Sequence, residues 1–290
     1  MPDSATAHVP ATSANLGAGF DCLGLALDLW SEVHVWRGKD SEQEPMARMA
    51  LTAARRAYEK AGQTPPPDLC AHYDGDIPIA RGLGASAVAR VGGLVAANTL
   101  LGGPLTGEQL LELGTELEGH ADNVAPALFG GFQVAVVAGD RILHTSAPVP
   151  EALRAVLFVP ELRMPTKESR KLLPSHLTRA DAVHNTGRAA LLVAAFAAGR
   201  FDLLDAAVDD RLHQPARSKL FPAMYAIFDA AKAAGAHCAY LSGGGSTLCA
   251  LATGREQAIA DAMLEAARAR EVAGYTIITK PTQKGAELIK

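Results

Sequence analysis

Cysteine is scarce in this chain of 290 residues. Cys22, Cys70, Cys238 and Cys249 form no C-x-x-C pair and no cluster with histidine, which argues against a zinc site and against a disulfide framework. No stretch approaches the roughly 18 consecutive apolar residues that a bilayer-spanning helix needs. The opening "MPDSATAHVP" has no basic region followed by an apolar core, so it does not read as a secretory signal. Positive charge is not in excess either: the formal net charge of −4 gives no electrostatic reason to expect nucleic acid or an anionic membrane as partner. Internal repeats are lacking, and the only dense proline stretch, Pro65 to Pro67, is too short to separate domains. Together these absences make a soluble cytoplasmic protein the expectation.

What remains is a globular composition, 49% hydrophobic and 20% charged, with enough length for one large domain or two of ordinary size. "LALDLWSEVHVW" alternates apolar and polar residues and predicts a strand with a kink at Ser31. "EPMARMALTAARRAYEKAG" predicts a helix stopped at Gly62, and "DLCAHYDG" a further strand. From Ala85 to about Leu101 small and apolar residues lie nearly all round, which predicts a buried helix. Thr106 and Gln109 stand at capping-box spacing before the next helix. "FQVAVVAG" and "RILHTSAP" read as paired strands that close a first unit, residues 1–147.

A second unit, residues 148–290, opens with the β-rich "LRAVLFVP" and the short helix "TKESRKLL". A long helix with an apolar stripe follows, capped by Thr178 and stopped by Gly199. "PAMYAIFDAAKAAG" is another helix, "HCAYLSGGGSTLCALAT" two strands around a glycine turn, and a helix and strand end the chain. Strand, helices, strand, strand, helix, strand is the order of a split βαβ sandwich.

Three glycine-rich stretches carry the functional signal. "IARGLGASAVAR", Ile79 to Arg90, has the form of a phosphate loop but lacks the Gly-Lys-Ser/Thr ending of a nucleotide P-loop. Gly82 and Gly84 permit close backbone approach to an anion, and the helix from Ala85 offers free N–H groups and a positive dipole end. Alone, such a turn is as consistent with binding nothing. The other two are "VPATSANLGAGFDCLGLAL", with Ser13, Asn15 and Asp21, and "YLSGGGSTLCAL", with three consecutive glycines.

The combination resembles the GHMP kinase superfamily. "PIARGLGASA", residues 78 to 87, matches its P-x-x-x-G-L-G-S-S-A motif at Pro78, Gly82, Leu83, Gly84, Ser86 and Ala87. Within that superfamily "PATSANLGAGFDCLGLAL", "EGHADNVAPALFGGF" and "DRLHQPARSKLFP" are similar to segments of the homoserine kinase family. The resemblance implies an α+β, two-domain GHMP kinase fold with an N-terminal ribosomal-protein-like α/β domain and a C-terminal ferredoxin-like domain. It implies ATP and Mg²⁺, L-homoserine as acceptor, and the homodimer common in the family. Its activity would be transfer of a phosphoryl group from ATP to the hydroxyl of L-homoserine, in threonine biosynthesis.

Carried over position by position, the resemblance implies that Pro78, Ile79, Ala80, Arg81, Gly82, Leu83, Gly84, Ala85, Ser86 and Ala87 hold the ATP phosphates, with Ala85 in place of the family's first serine. Arg81 could add a cation in place of the missing lysine, or face solvent at the loop edge. Ser86 would be a magnesium ligand together with Glu116, Glu118 being the alternative. Asn15, Asp21, His120, Asp122, Asn123, Arg188 and Arg217 resemble the acceptor-site residues, with Arg217 and Asn123 as the catalytic pair. An arginine suits a carboxylate because its planar fork bonds both oxygens. "SGGGST" departs from the family's Ser-Gly-Ala-Gly-Pro-Thr at Gly244 and Ser246, which should loosen that turn; its expected task is to support the other two loops. The family lacks a well-placed general base, so the implied mechanism is in-line transfer with little base catalysis. A kinase for another alcohol, or a catalytically inert protein of the same fold, are the competing readings.

Overall fold

A computed structural model describes residues 3–38, 44–139, 141–164 and 166–289. The first half contributes β1 (Ser4–Ala14), β2 (Leu23–Arg37), α1 (Pro45–Lys60), β3 (Leu69–Gly75), α2 (Ala85–Leu100), α3 (Gly107–Glu118), α4 (Val124–Phe129), β4 (Phe132–Ala138) and β5 (Arg141–Ala147). The second contributes β6 (Arg154–Pro160), α5 (Thr166–Lys171), α6 (Arg179–Ala198), α7 (Leu204–Ala207), α8 (Gln214–Arg217), α9 (Met224–Ala234), β7 (Cys238–Leu241), β8 (Leu248–Ala252), α10 (Glu256–Arg268), β9 (Gly274–Thr279) and β10 (Glu287–Ile289).

The long strand β2 organises the first sheet, whose order is β10-β1-β2-β4-β5 with β3 also paired to β2. One edge of β2 pairs with β1; on the other, Leu23–Leu25 face β4 and Ser31–Arg37 face β3. Val33 and Val35 are fully buried, while Glu32 before them is exposed and His34 between them half-buried, the alternation a one-sided sheet requires. The expected kink lies slightly before Ser31: Pro10 opposes Trp30 and Ala11 opposes Leu27, so Asp28 and Leu29 bulge out of the ladder. Pro10 has no N–H to donate there, which makes a bulge the inexpensive solution.

Helix α2 lies over β1 and β2 and beneath α1, which explains its small-residue character. A Cβ on Gly93 would meet the Ala50 carbonyl oxygen of α1 at 2.2 Å, and one on Gly92 would meet Val33 of β2 at 2.3 Å. The two glycines therefore let the helix pass close to both neighbours. Thr106 and Gln109 form the expected capping box at the start of α3. The Thr178 side chain caps α6, which ends at Gly199 with φ +63°.

The second sheet has the order β7-β8-β6-β9, antiparallel throughout. With α9 and α10 packed together against it, this is the ferredoxin-like arrangement expected from the element order. One feature was not legible: β10 returns to the first sheet and pairs with β1, Thr6 opposite Ile289. Among the described residues no helix is long and apolar enough to cross a membrane.

Candidate active site

The three glycine-rich stretches meet. Gly243 N donates to Ala14 O at 2.9 Å, and Asn15 Nδ2 donates to Gly243 O at 2.8 Å. Ser242 Oγ donates its hydrogen to Gly82 O at 2.7 Å and so accepts from Ser13 Oγ at 2.8 Å. Thr247 N donates to Arg81 O. "SGGGST" thus supports the other two loops, as expected. Ser246, which stands where the family pattern has proline, donates from Oγ to the Leu162 carbonyl oxygen.

The same contacts change the reason for two glycines. A Cβ on Gly82 would stand 2.1 Å from Ser242 O, and one on Gly84 would stand 2.0 Å from Thr12 Oγ1. Both residues have positive φ, +79° and +71°. They are required by packing of the chain on itself, before any ligand is considered. Gly84 is the N-cap of α2, and no side chain among the described residues caps that helix, so its first-turn N–H groups are available to an anion.

Arg81 neither lies free at the loop edge nor extends as a free cation. Its Nε donates to Pro160 O and its Nη2 to Glu161 O, both at 2.8 Å, which ties the loop to the end of β6. Pro78 and Ala87 do not line the cleft into which the rest of the loop faces.

Ser86 is the second residue of α2, and its Oγ donates to Glu118 Oε1 at 2.5 Å. Glu118, the last residue of α3, is mostly buried, with a side-chain exposure of 10%. Arg90, one turn beyond Ser86 on α2, forms an ion pair with Glu118 Oε2. Glu116 is elsewhere: two residues earlier on α3, it points outward and pairs with Arg56 at 2.8 Å. The expectation that Glu116 partners Ser86 is corrected on this geometry, because positions two apart on a helix face different sides. Hard oxygens from a hydroxyl and a mostly buried carboxylate at the edge of the cleft fit a small divalent cation such as Mg²⁺.

Across the cleft stands a set of opposed charges. Arg170 of α5 donates from Nη1 to Asp21 Oδ2 at 2.8 Å and from Nη2 to Oδ1 at 2.5 Å. The Phe20 ring meets two guanidinium groups, that of Arg170 at 5.2 Å and that of Arg217 at 5.5 Å from its centre. Arg217 is 1% exposed, yet its hydrogen bonds are few: Nη1 donates to His213 Nδ1 at 2.8 Å and to Gly243 O at 3.1 Å, while Nε has no partner among the described residues. A buried guanidinium left with a free donor is costly, which is the condition an anionic ligand relieves. Burial, and then the charge of Arg170, pull its pKa down to about 10, so it stays charged at neutral pH.

Because Arg217 donates to Nδ1, His213 must carry its proton on Nε2, which donates to Gly17 O at 2.8 Å. Full burial pushes the pKa of that imidazole down to about 4, so it is neutral at pH 7. Asp210 fixes the segment: its carboxylate accepts from the backbone N–H of Leu212, His213 and Gln214 and from Asn185 Nδ2.

His120 Nδ1 donates to Asp122 Oδ1 at 2.5 Å. Asn123 Oδ1 accepts from Thr12 Oγ1 at 2.7 Å, which holds the carboxamide beside Gly84. Asn15 is buried, and its Oδ1 accepts from Asp21 N at 3.0 Å, so both amide atoms brace the loop that carries Asp21. Arg188 is not part of this set. Its Nε lies 3.4 Å from Asp209 and it does not line the cleft. Arg170, which sequence reasoning left in a short helix without a role, lines the cleft instead. Its signal in the sequence is one arginine in "TKESRKLL", and nothing local ties that segment to Asp21.

One cleft of about 530 Å³ joins the α2 end to the charged set, with Met46, Met49 and Ile79 on its apolar side. A separate cavity of about 600 Å³, between Leu220–Ala223 and Arg270–Ala273, contains none of the residues expected to bind ATP, metal or acceptor.

Residues 48–131 match the model of the GHMP kinases N-terminal domain, and residues 192–269 that of the GHMP kinases C-terminal domain. The homoserine kinase of Carboxydothermus hydrogenoformans is 41% identical, over 96% of this chain and 94% of that protein. The homoserine kinase of Synechocystis is 43% identical, over 86% of each. The crystal structure of homoserine kinase from Cytophaga hutchinsonii superimposes with a TM-score of 0.89 at 30% identity, covering 100% of this chain and 98% of that one. By its three converging loops, its two sheets and this near full-length similarity, the chain belongs to the homoserine kinase family of the GHMP kinases.

Proposed function

We propose that the protein transfers the γ-phosphoryl group of ATP to the hydroxyl of L-homoserine, giving O-phospho-L-homoserine in threonine biosynthesis. The observation that carries this reading is one cleft that sets an uncapped helix N-terminus opposite Asp122, Arg170 and Arg217, with Asp21 bonded to Arg170. A nucleoside triphosphate and a zwitterion are the pair of ligands such a cleft suits. The relatives named above, homoserine kinases at about 40% identity over most of the chain, support it. We take residues 1–147 as the nucleotide-binding domain and 148–290 as the second domain, whose last strand, β10, crosses back to complete the first sheet.

The loop from Ile79 to Ser86 wraps the phosphates through backbone N–H groups, and Met46, Met49 and Ile79 offer apolar contact for the base. Ser86 and Glu118 hold Mg²⁺, which supplies charge neutralisation on the phosphates when bound. Asp21 and Asp122 accept from the ammonium of homoserine, and Arg170 and Arg217 donate to its carboxylate. This requires Arg170 to exchange part of its bond with Asp21 for the substrate, a swap that keeps every charge paired. Asn123, held by Thr12, orients the acceptor hydroxyl toward the phosphate.

Neither nearby carboxylate is free to act as a strong base: Asp21 is held by Arg170, and Asp122 by His120. That favours in-line transfer in which positioning and charge neutralisation do most of the catalysis and the phosphate itself takes the proton. The test is an ADP-release assay with L-homoserine, D-homoserine, mevalonate and galactose. Turnover confined to L-homoserine supports the proposal, and none with L-homoserine refutes it.

A further inference from the structure

Arg90 has no place in the reading above, yet it touches the residue assigned to the metal. It projects from α2 one turn after Ser86, and its guanidinium pairs with Glu118 Oε2 while Ser86 holds Oε1. The Arg90 side chain is only 19% exposed, so the pair is little screened by solvent. Glu118 ends α3, where the helix dipole disfavours a negative charge. A cation beside it is therefore expected, and the chain supplies its own.

We propose that Arg90 is a built-in counter-ion that competes with a divalent cation for Glu118. In the nucleotide-free protein it neutralises the carboxylate and keeps the Ser86–Glu118 pair a poor site for free metal. A metal that arrives with a nucleotide brings phosphate oxygens to which Arg90, which also lines the cleft, can transfer. Arg90 acts through Glu118, so it is a positioning residue. The inference rests on the assignment of Glu118 as a metal ligand.

The test measures binding of Mn²⁺ alone to the nucleotide-free protein by electron paramagnetic resonance. Mn²⁺ is the probe because it shares the oxygen preference of Mg²⁺ and is visible to the method. Arg90→Met should tighten Mn²⁺ binding roughly tenfold or more, since it removes a competing unit charge in contact with the ligand. Arg90→Lys should leave binding close to the original value, and Arg90→Met combined with Glu118→Gln should lose the gain. Melting curves verify that each variant is folded, and Arg90→Gln replaces Arg90→Met should the latter not fold. Unchanged or weaker Mn²⁺ binding without Arg90, while Glu118→Gln alone still weakens it, overturns the counter-ion role and leaves the metal assignment standing. A gain that survives Glu118→Gln overturns both.

Discussion

Asp21 and Arg170 are 149 positions apart in sequence and share two hydrogen bonds, at 2.8 and 2.5 Å, over the face of Phe20. The pair links the first glycine-rich stretch to α5 across the cleft. Arg170→Ala is expected to raise KM for homoserine by roughly 10- to 100-fold, the loss associated with one charge-assisted bidentate contact at a part-exposed site. Arg188→Ala should change KM less than about twofold. Steady-state kinetics on the two variants decides between them, and the reverse ranking would restore Arg188 to the site.

The two glutamates of α3 make a second contrast. Glu118→Gln should lower kcat/KM by about 100-fold or more, because it removes an ionised oxygen ligand from the phosphate side of the cleft. Glu116→Gln removes only an exposed pair with Arg56 and should stay within about twofold and 0.5 kcal/mol of stability. Equal losses in both variants would contradict the assignment.

These residues also show how far the sequence reaches. Local chemistry marked the glycine loop, the buried helix α2, the Thr106–Gln109 capping box and the β7–β8 turn, since each depends on neighbours within a few residues. Which glutamate meets Ser86 depends instead on the crossing of α2 and α3, and which arginine meets Asp21 depends on where α5 lands. The return of β10 to the first sheet rests on three exposed residues whose partner is at the other end of the chain. The pairing of Arg90 with Glu118 depends on that same crossing of α2 and α3.

Gly82 separates packing from conformation. Gly82→Ala combines φ +79° with a Cβ 2.1 Å from Ser242 O and should destabilise the protein by at least about 2 kcal/mol. Gly62 has a similar φ of +71° with nothing within 4 Å of a new Cβ, so Gly62→Ala should cost only about 1 kcal/mol. Chemical denaturation of both variants measures the difference; similar losses would mean the contact between the loops contributes little.

His213 sets an acid limit on stability. Its pKa in the folded protein, about 4, lies below the ordinary value of 6.5, so the unfolded chain takes up a proton that the native site refuses. Stability is full above pH 6.5 and declines as pH falls toward 4, by on the order of 3 kcal/mol across that window. His213→Gln should flatten this part of the pH–stability curve while lowering the plateau. A native protein whose stability is constant from pH 6.5 to 4 would contradict the neutral, Nε2-protonated imidazole that supports Arg217.

The central claim concerns the bond that is formed. Incubation with ATP, Mg²⁺ and L-homoserine, followed by proton-coupled ³¹P nuclear magnetic resonance, reports it directly. The account predicts a new phosphate monoester signal split into a triplet by the two methylene protons beside the phosphorylated oxygen, growing with the ADP signals. Signals of ADP and inorganic phosphate alone, or no change, would contradict it.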